Sequence, residues 1–319
     1  MSAFEANKHA CYAALLLSCG SAAAATINVN CGGHEGYTSV NAAIRALAYY
    51  DTQGANLINV RGVCNENVVF KGVGHITLDG GNSATIVDLT GGATPAILLD
   101  SSQEIAINNL TASGTGQGSG GSDVIDCQNG SICRFNNVTV QDGSQNGGGI
   151  GVWTGSYMYV TGGTAQNNKG WAGIAAANGG RALISGMVSR GNWEGAATFN
   201  QGFLQLVNVS LTGNHARGME VNRGAGATCG GCTISGNGTA TGGDGVDVQV
   251  SASVSLVGQT TVTGNGGAGV SLTNLSSLLL FGVGTSVTGN LGAADVVCNP
   301  SYTTVTLNNA HVGTVSGCP

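Results

Sequence analysis

The fold of this chain is decided by a recurring turn: Thr212-Gly213-Asn214, Ser235-Gly236-Asn237, Thr263-Gly264-Asn265 and Thr288-Gly289-Asn290. After each turn the chain returns to a glycine and a short run of alternating apolar residues. Looser copies end at Asn167 and Asn192, and successive asparagines are 25, 22, 23, 28 and 25 residues apart. A repeat of about 20 to 50 residues is typical of solenoids and other stacked arrays. The repeat therefore predicts the architecture before any chemical motif is considered.

The composition of the 319 residues also fits short strands joined by tight bends. Glycine supplies 56 residues, proline only 3, and charged residues make up 8%. Low charge with 42% hydrophobic residues argues against disorder, and the scarcity of proline excludes collagen. The formal net charge of −6 provides no basic surface, so nucleic acid is not expected as a partner.

Apolar residues that follow the glycine turns mark the starts of successive coils. These starts are Ile97, Val124, Ile150, Ile174, Ala196, Met219, Val246, Val270 and Val296. The runs alternate with period two, so one side of each strand is buried and the other is exposed. One unit cannot bury its apolar side alone, and copies must stack. We therefore predict a parallel β-helix of about ten coils, ~4.8 Å apart, with the turn asparagines hydrogen-bonded in a ladder.

From about residue 60 to residue 319 the chain resembles the right-handed parallel β-helix repeat proteins of the pectin-lyase-like superfamily. The repeats quoted above carry the resemblance, and the segments 59–70 and 76–80 are similar to the first coils of that family. The resemblance implies an all-β, right-handed solenoid whose N-terminal end is closed by a helix. It does not support pectin cleavage, because the sets of polygalacturonase and pectate lyase signature residues are missing from this sequence.

A helix is also indicated by the residues before the first coil. Ser39 can cap it, and apolar residues recur at helical spacing between positions 40 and 47. An open β-helix end would expose apolar core and strand edges. We therefore expect residues 26–58 to form the N-terminal cap of a single domain that spans residues 26–319.

Residues 1–25 have the features of an export signal. Lys8 precedes an apolar stretch, and Ala23-Ala24-Ala25 offers a cleavage site with small residues. The segment Leu16-Leu17-Ser18-Cys19 leaves open a lipoprotein signal that would attach lipid to Cys19. No later segment is long and apolar enough to be a transmembrane segment. The sequence thus predicts a secreted or cell-envelope protein, periplasmic or on the outer surface.

Removal of the signal would leave an even number of cysteines, which in an exported chain indicates disulfides. Their order along the chain favours four pairs of neighbours: Cys31 with Cys64, Cys127 with Cys133, Cys229 with Cys232, and Cys298 with Cys318. The Cys-Gly-Gly-Cys segment also fits half a zinc site or a redox pair. A disulfide is favoured, because zinc needs two more ligands and redox motifs usually begin a helix.

Glu220 and Asp247 form the best candidate site in this weakly charged sequence. Each follows its coil start by one residue, so both carboxylates are expected to face outward on adjacent coils, with backbones ~4.8 Å apart. The neighbouring ionisable residues are His215, Arg217, Arg223 and Asp244. The candidate catalytic residues are Glu220, Asp247, Arg217, Arg223 and His215.

Three functions fit this cluster. Two close carboxylates resemble the acid pair of a retaining glycosidase. Alternatively, Glu220, Asp244 and Asp247 are candidate calcium ligands, with Arg217 or Arg223 as the base or charge clamp of a lyase. The third function is carbohydrate binding without catalysis. The remaining interpretation is a surface patch in which the arginines neutralise the carboxylates and contribute little energy.

Trp153 is the candidate substrate-binding residue, because it falls at an outward position and flat rings stack on sugars. Trp171 and Trp193 lie in turns of successive coils, where they can instead shield the side of the solenoid. We therefore expect polysaccharide or a cell-surface glycan as the partner, either bound or cleaved by a lyase or glycoside hydrolase. The alternative is a non-enzymatic surface or structural protein such as an adhesin, because one fold hosts many activities.

Overall fold

The computed structural model describes residues 24–34, 36–49, 54–299 and 303–318. Within these ranges the chain forms one helix, α1 (Val40–Tyr49), between strands β1 and β2, and 31 strands in all. The first strands are β1 (Thr26–Cys31), β2 (Asn56–Asn65), β3 (Val68–Lys71), β4 (Ile76–Val87), β5 (Ile97–Asp100) and β6 (Ile105–Ser113).

From β7 onward the coils are regular, and each contributes three short strands. In chain order they are β7 (Ile125–Gln128), β8 (Ile132–Asn136), β9 (Thr139–Gln141), β10 (Ile150–Val152), β11 (Tyr157–Thr161), β12 (Thr164–Gln166), β13 (Ala172–Ala177), β14 (Arg181–Ser185), β15 (Val188–Arg190), β16 (Glu194–Phe199), β17 (Phe203–Val207), β18 (Ser210–Thr212), β19 (Arg217–Val221), β20 (Gly226–Gly230), β21 (Thr233–Ser235), β22 (Val246–Val248), β23 (Ser253–Val257), β24 (Thr261–Thr263), β25 (Val270–Leu272), β26 (Ser277–Phe281), β27 (Ser286–Val287), β28 (Val296–Cys298), β29 (Thr304–Asn308), β30 (His311–Val312) and β31 (Val315–Ser316).

Every strand pairs in parallel with its counterpart one coil away. One strand of each coil joins an 11-stranded sheet that runs from β3 through β5, β7 and β10 to β31. The remaining strands form a bent 20-stranded sheet. The bend falls within the long strands β2, β4 and β6, where the register of the pairing shifts. This is the predicted all-β, right-handed parallel β-helix with a short N-terminal helix.

The observed register confirms the predicted coil starts with one exception. Ile97 pairs with Ile125, and Ile125 pairs with Ile150, so the start predicted at Val124 was one residue too early. The error has a simple cause. Val124 and Ile125 are both apolar and both buried, at 3% and 0% exposure, and alternation does not tell which of them begins the frame.

The predicted asparagine ladder is present in the turns. Each side-chain Nδ2 donates to the Oδ1 of the next coil, at distances of 2.8, 3.2, 2.8, 2.9 and 2.8 Å along Asn168, Asn192, Asn214, Asn237, Asn265 and Asn290. The ladder begins at Asn168, and the prediction of Asn167 was wrong. Asn167 has a φ of 58° and occupies the left-handed turn position that Gly213 fills in a later coil. Asparagine tolerates this conformation better than most residues.

Helix α1 packs on the first coil and covers its apolar interior. Ser39 Oγ accepts a hydrogen bond from the Ala42 N–H at 3.3 Å, as expected for a cap. Glu66, from the turn after β2, adds a second cap that the sequence did not reveal. Its carboxylate accepts the N–H groups of Val40 at 2.7 Å and Asn41 at 3.2 Å. A negative charge at this helix terminus is stabilising.

All four expected disulfides are present: Cys31–Cys64, Cys127–Cys133, Cys229–Cys232 and Cys298–Cys318. The first joins β1 to β2, and the last joins β28 to the segment after β31. The export signal predicted over residues 1–25 lies outside the described residues except for its last two positions, and it stays a prediction. None of the helical structure in the described ranges has the length and apolarity of a membrane span.

Candidate functional site

The outward side of the 11-stranded sheet between β7 and β22, here called the front face, carries the aromatic and acidic clusters of this chain. Its residues stack in three columns, located two residues before, one residue after and three residues after each coil start. The first column is Asp123, Gly148, Ala172, Glu194, Arg217 and Asp244. The second is Asp126, Gly151, Ala175, Ala197, Glu220 and Asp247. The third is Gln128, Trp153, Ala177, Phe199, Asn222 and Gln249.

The predicted adjacency of Glu220 and Asp247 is confirmed, because the two residues pair directly between β19 and β22. A single arginine connects them. Arg217 Nη1 lies 3.0 Å from Glu220 Oε2, and its Nε lies 3.1 Å from Asp247 Oδ2. Arg217 Nη1 also lies 2.9 Å from Oε1 of Glu194. We call these four residues the Arg217 cluster, in which one cation is shared by three carboxyl groups.

Burial controls the protonation of the Arg217 cluster. Glu194 is only 3% exposed, and its Oε2 accepts no hydrogen bond from the described residues. Burial, followed by the charge of Glu220, raises the Glu194 pKa to about 8, although Arg217 opposes the shift. Burial also raises the pKa of Asp247, against the favourable charge of Arg217. At neutral pH Glu194 is therefore largely protonated.

The other residues of the predicted catalytic set are not brought together with Glu220. Arg223 is exposed in the turn after β19, with a φ of 53°, and all the ion pairs of the cluster in the described residues are made by Arg217. His215 is exposed, and its ring lies 4.8 Å from that of Trp193. Asp244 Oδ1 accepts the Ala268 N–H at 2.7 Å, and burial raises the pKa of Asp244.

A calcium ion at Glu220, Asp244 and Asp247 stays a prediction. Throughout the described ranges, only Cys31, Cys64 and Glu66 place three potential ligand atoms within 4.8 Å of one another, and these two cysteines form a disulfide. At the predicted site the guanidinium of Arg217 already holds two of the three carboxylates.

Three aromatic side chains, those of Trp153, Trp171 and Phe199, pack together on the front face. The rings of Trp153 and Trp171 are stacked with centroids 5.6 Å apart, and Phe199 lies 4.9 Å from Trp171. Trp153 Nε1 donates to Asp126 Oδ1 at 2.7 Å, which fixes the orientation of the indole. Aromatic pairs of this kind contribute about 0.5–1.5 kcal/mol beyond their buried area.

These aromatic rings border a cavity of about 320 Å³, here called the aromatic groove. Its polar lining includes Asp123, Asp126, Gln128 and Asn178, and its aromatic lining is Trp153 and Trp171. The arrangement combines flat apolar rings with a few convergent polar groups, which is typical of small-molecule and sugar sites. Trp153 therefore faces outward as predicted, but it lies beside Asp126 rather than beside Glu220, and its role in substrate binding stays a prediction.

Asp123 and Asp126 are the two acidic residues that line the groove. Asp123 is 3% exposed, and its Oδ1 accepts the Gly148 N–H at 2.8 Å. Burial, then the charge of Asp126, raises the Asp123 pKa well above its usual range. Burial raises the Asp126 pKa to about 6, against the hydrogen bond from Trp153. Burial thus favours the neutral form of both carboxyl groups.

Gly151 makes this arrangement possible. A Cβ atom at position 151 would lie 2.1 Å from Asp123 Oδ2 and 2.5 Å from Trp153 Nε1. Both contacts are far inside van der Waals distance, so any side chain here would displace the buried acid or the indole. The smallest residue of the second column thus leaves space for the Asp123 carboxyl group and the Trp153 indole.

Asp123, Asp126 and Glu194 were not predicted, although a signal for them exists in the sequence. The predicted columns contained only the position after each coil start, and one coil was taken to begin at Val124. With the start at Ile125, Asp126 falls in the same column as Glu220. The position two residues before each start then aligns Asp123 with Glu194, and Glu194 pairs directly with Arg217.

Comparison with known proteins identifies the fold. The family model described as the right-handed beta helix region matches residues 95–291. No curated protein matches the sequence. Among solved structures, the A-module of Azotobacter vinelandii mannuronan C-5 epimerase AlgE4 aligns with a TM-score of 0.64 and 17% identity, covering 88% of this chain and 91% of the epimerase module.

Two further structures give similar alignments. The A-module of Azotobacter vinelandii mannuronan C-5 epimerase AlgE6 has a TM-score of 0.60 and 17% identity, with 88% of this chain and 93% of the module covered. ORF18 of Geobacillus virus E2 has a TM-score of 0.58 and 14% identity, with 90% of this chain and 63% of the viral chain covered. At these identities the likeness shows the fold alone.

Proposed function

Because this chain belongs to the right-handed β-helix family, we propose that it binds extracellular polysaccharide in the aromatic groove of its front face. The observation that carries the proposal is the stacked pair Trp153 and Trp171, which borders a cavity lined by carboxyl and amide groups. Two solved proteins of the same fold are named as mannuronan epimerases, which act on a polysaccharide. That likeness supports the proposal without specifying the sugar.

The groove offers the contacts that a sugar requires. The C–H face of a pyranose ring can pack on Trp153, while its hydroxyl groups exchange hydrogen bonds with Asp126, Gln128 and Asn178. The hydrogen bond between Trp153 Nε1 and Asp126 holds the ring in place before the ligand arrives. Such pre-organisation reduces the entropy lost on binding. The four disulfides support export, because disulfides persist in oxidising compartments.

One observation favours catalysis in addition to binding. Burial raises the pKa of both Asp123 and Asp126, so the more buried Asp123 can donate a proton while Asp126 accepts one. The retaining pair predicted at Glu220 and Asp247 would need free carboxylates, but Arg217 holds both. We therefore place proton transfer during glycosidic cleavage at Asp123 and Asp126, and we assign the Arg217 cluster to holding adjacent coils together.

The non-enzymatic alternative is supported by the same arginine, because a neutralised patch is what a structural surface would carry. A panel of polysaccharides separates the possibilities. Binding is measured by calorimetry, and cleavage by new reducing ends or by the absorbance of unsaturated uronates. Binding with no cleavage product would leave a binding protein, and no binding to any member of the panel would refute the proposed function.

The role of the groove is tested by Trp153→Ala, with Trp193→Ala as the matched control. Trp153 is half-buried, whereas Trp193 is 42% exposed and its ring lies tilted against that of His215, outside the groove. We expect Trp153→Ala to weaken polysaccharide binding about tenfold, equivalent to ~1.4 kcal/mol, and Trp193→Ala to leave it unchanged. Equal losses in both variants would contradict the assignment of the groove.

A further inference from the structure

We propose that the aromatic groove binds the protonated amino group of an amino sugar, so that the polysaccharide recognised by this chain carries positive charge. The inference rests on the proposed function, because it names the chemical class of the ligand for the same groove. It follows from the charges of the front face, from a buried carboxylate oxygen without a donor, and from the geometry of the two indoles.

The front face is acidic at both ends and would repel an anionic glycan. Asp123 and Asp126 line the groove, and Glu220, Asp244 and Asp247 lie further along the same face. The same face carries the positive charge of Arg217, but its guanidinium is already held by three carboxyl groups. The groove lining within the described residues contains no lysine, arginine or histidine. Lys169, two residues before Trp171, donates to the carbonyl of Gly116 in another loop.

Without a basic side chain in the groove, a uronate carboxylate would meet only like charge. Juxtaposed like charges suppress binding of the wrong partner, and opposite charges select the right one. The charge pattern therefore disfavours the polyuronates, such as mannuronan, on which proteins of the same fold act. It leaves neutral and amino-bearing glycans as the candidates.

The surroundings of Asp123 Oδ2 favour amino-bearing glycans over neutral glycans. This oxygen is buried and accepts no hydrogen bond from the N–H and hydroxyl groups of the described residues. Asp123 lines the groove, and the glycine at position 151 lets its carboxyl group lie beside Trp153 Nε1. An ammonium group has three donors and no acceptor, so it can donate to the carboxyl oxygens of Asp123 and Asp126 together. A sugar hydroxyl supplies only one donor and no charge.

The indoles complete a site for a cation. Trp153 and Trp171 lie 5.6 Å apart with their planes inclined by 28°. A cation within about 6 Å of an indole centroid is attracted by the negative face of the ring. A carboxyl pair beside an indole of the groove lining is thus a chemical match for an ammonium group, whereas an N-acetylated sugar would bring a neutral amide with an acceptor oxygen toward the acids.

The inference is tested by calorimetry with four oligosaccharides of equal length: glucosamine, N-acetylglucosamine, glucose and mannuronate oligomers. The titrations are run just above the Asp126 pKa of about 6. We expect the glucosamine oligomer to bind about tenfold more tightly than the glucose and N-acetylglucosamine oligomers. The mannuronate oligomer should bind most weakly.

Asp126→Asn supplies the variant, because the amide keeps the acceptor for Trp153 and removes the charge. The ratio of glucosamine affinity to glucose affinity, both measured on this variant, should fall to about twofold or less. Asp100→Asn is the control, since it removes the same charge from β5 in the same sheet, where Asp100 pairs with Lys71 at 3.8 Å. It should retain the advantage.

Each outcome has a separate meaning. Glucose or N-acetylglucosamine oligomers that bind as tightly as glucosamine would overturn the inference and leave the proposed function standing, as would tightest binding of mannuronate. An unchanged glucosamine advantage in Asp126→Asn would also overturn it. Failure of all four oligomers, together with the polysaccharide panel, would refute the proposed function itself.

Discussion

Glu194 is an acidic residue that the fold has placed almost out of contact with water. It faces Arg217, Glu220 and, through Arg217, Asp247, and its pKa is raised to about 8. A folded-state pKa above the unfolded value of 4.5 means that the folded protein binds more protons between these two values. The contribution of Glu194 to stability is therefore complete below pH 4.5, and it is lost as the pH rises through about 8.

Glu194→Gln tests this linkage, because the amide mimics the protonated acid and can still accept from Arg217. Between pH 5 and 8 the free energy of unfolding of the native chain should fall by up to about 1.4 kcal/mol per pH unit from this group. The variant should be less sensitive to pH by that amount, as measured by urea unfolding across the range. Glu104→Gln is the control, because the pKa of Glu104 is lowered by its hydrogen bond with Arg134. Equal slopes in the native chain and in Glu194→Gln would contradict the assignment.

At the scale of the element, the asparagine turn is what keeps successive coils in register. Asn237 Oδ1 accepts from the N–H of Asn214 at 3.0 Å and from its Nδ2 at 2.8 Å, and Asn237 Nδ2 donates to Asn265. Asn237 is fully buried. Each side chain therefore satisfies polar groups of the coils on both sides, so that removal of one leaves buried donors without acceptors.

Asn237→Ala should be costly for this reason. Two orphaned donors on Asn214, at about 1–3 kcal/mol each, predict a loss of about 3 kcal/mol or more in the free energy of unfolding. Asn136→Ala, at an exposed position in β8, should change it by less than about 0.5 kcal/mol. Urea unfolding of both variants checks the expectation. A small effect of Asn237→Ala would show that water or a shifted turn replaces the ladder.

The elements were largely predictable from sequence, and the exceptions have physical causes. Turn spacing and alternation identified the coils, the ladder and the helix begun by Ser39. They failed at Val124 and Asn167, where two neighbouring residues of the same type fit the frame equally well. The cap by Glu66 was missed because it comes from another part of the chain, and such a contact is visible only once the first coil has folded over α1.

The candidate site was predicted only in part for a related reason. Periodicity predicted that Glu220 lies beside Asp247. Neutralisation of these carboxylates by arginine was one interpretation of the cluster. Periodicity did not show that Arg217 rather than Arg223 makes the ion pairs, because side-chain direction in a turn does not follow from spacing. Asp123 and Asp126 were not predicted as site residues because the start of their coil was placed one residue too early. A shift of one residue moves every side chain of a strand to the other face.

At the scale of the whole molecule, coaxial stacking brings together residues that are far apart in sequence. Asp126 and Trp153 come from successive coils, and Trp171 and Phe199 from the next two. At ~4.8 Å per coil, Asp126 and Glu220 are about 19 Å apart on one continuous face. A polysaccharide, which repeats along its length as the solenoid does, can therefore contact both the groove and the cluster, with the small residues Ala175 and Ala197 between them.

The central claim is that the aromatic groove is where polysaccharide binds, and the chain contains only three tryptophans. Their indole N–H signals in a nitrogen-15 NMR spectrum, assigned by replacing each tryptophan in turn with phenylalanine, report on the site directly. On addition of the glucosamine oligomer we predict shifts of the Trp153 and Trp171 signals and none for Trp193. A shift confined to Trp193, or no shift of Trp153 and Trp171 at saturating ligand, would contradict the account.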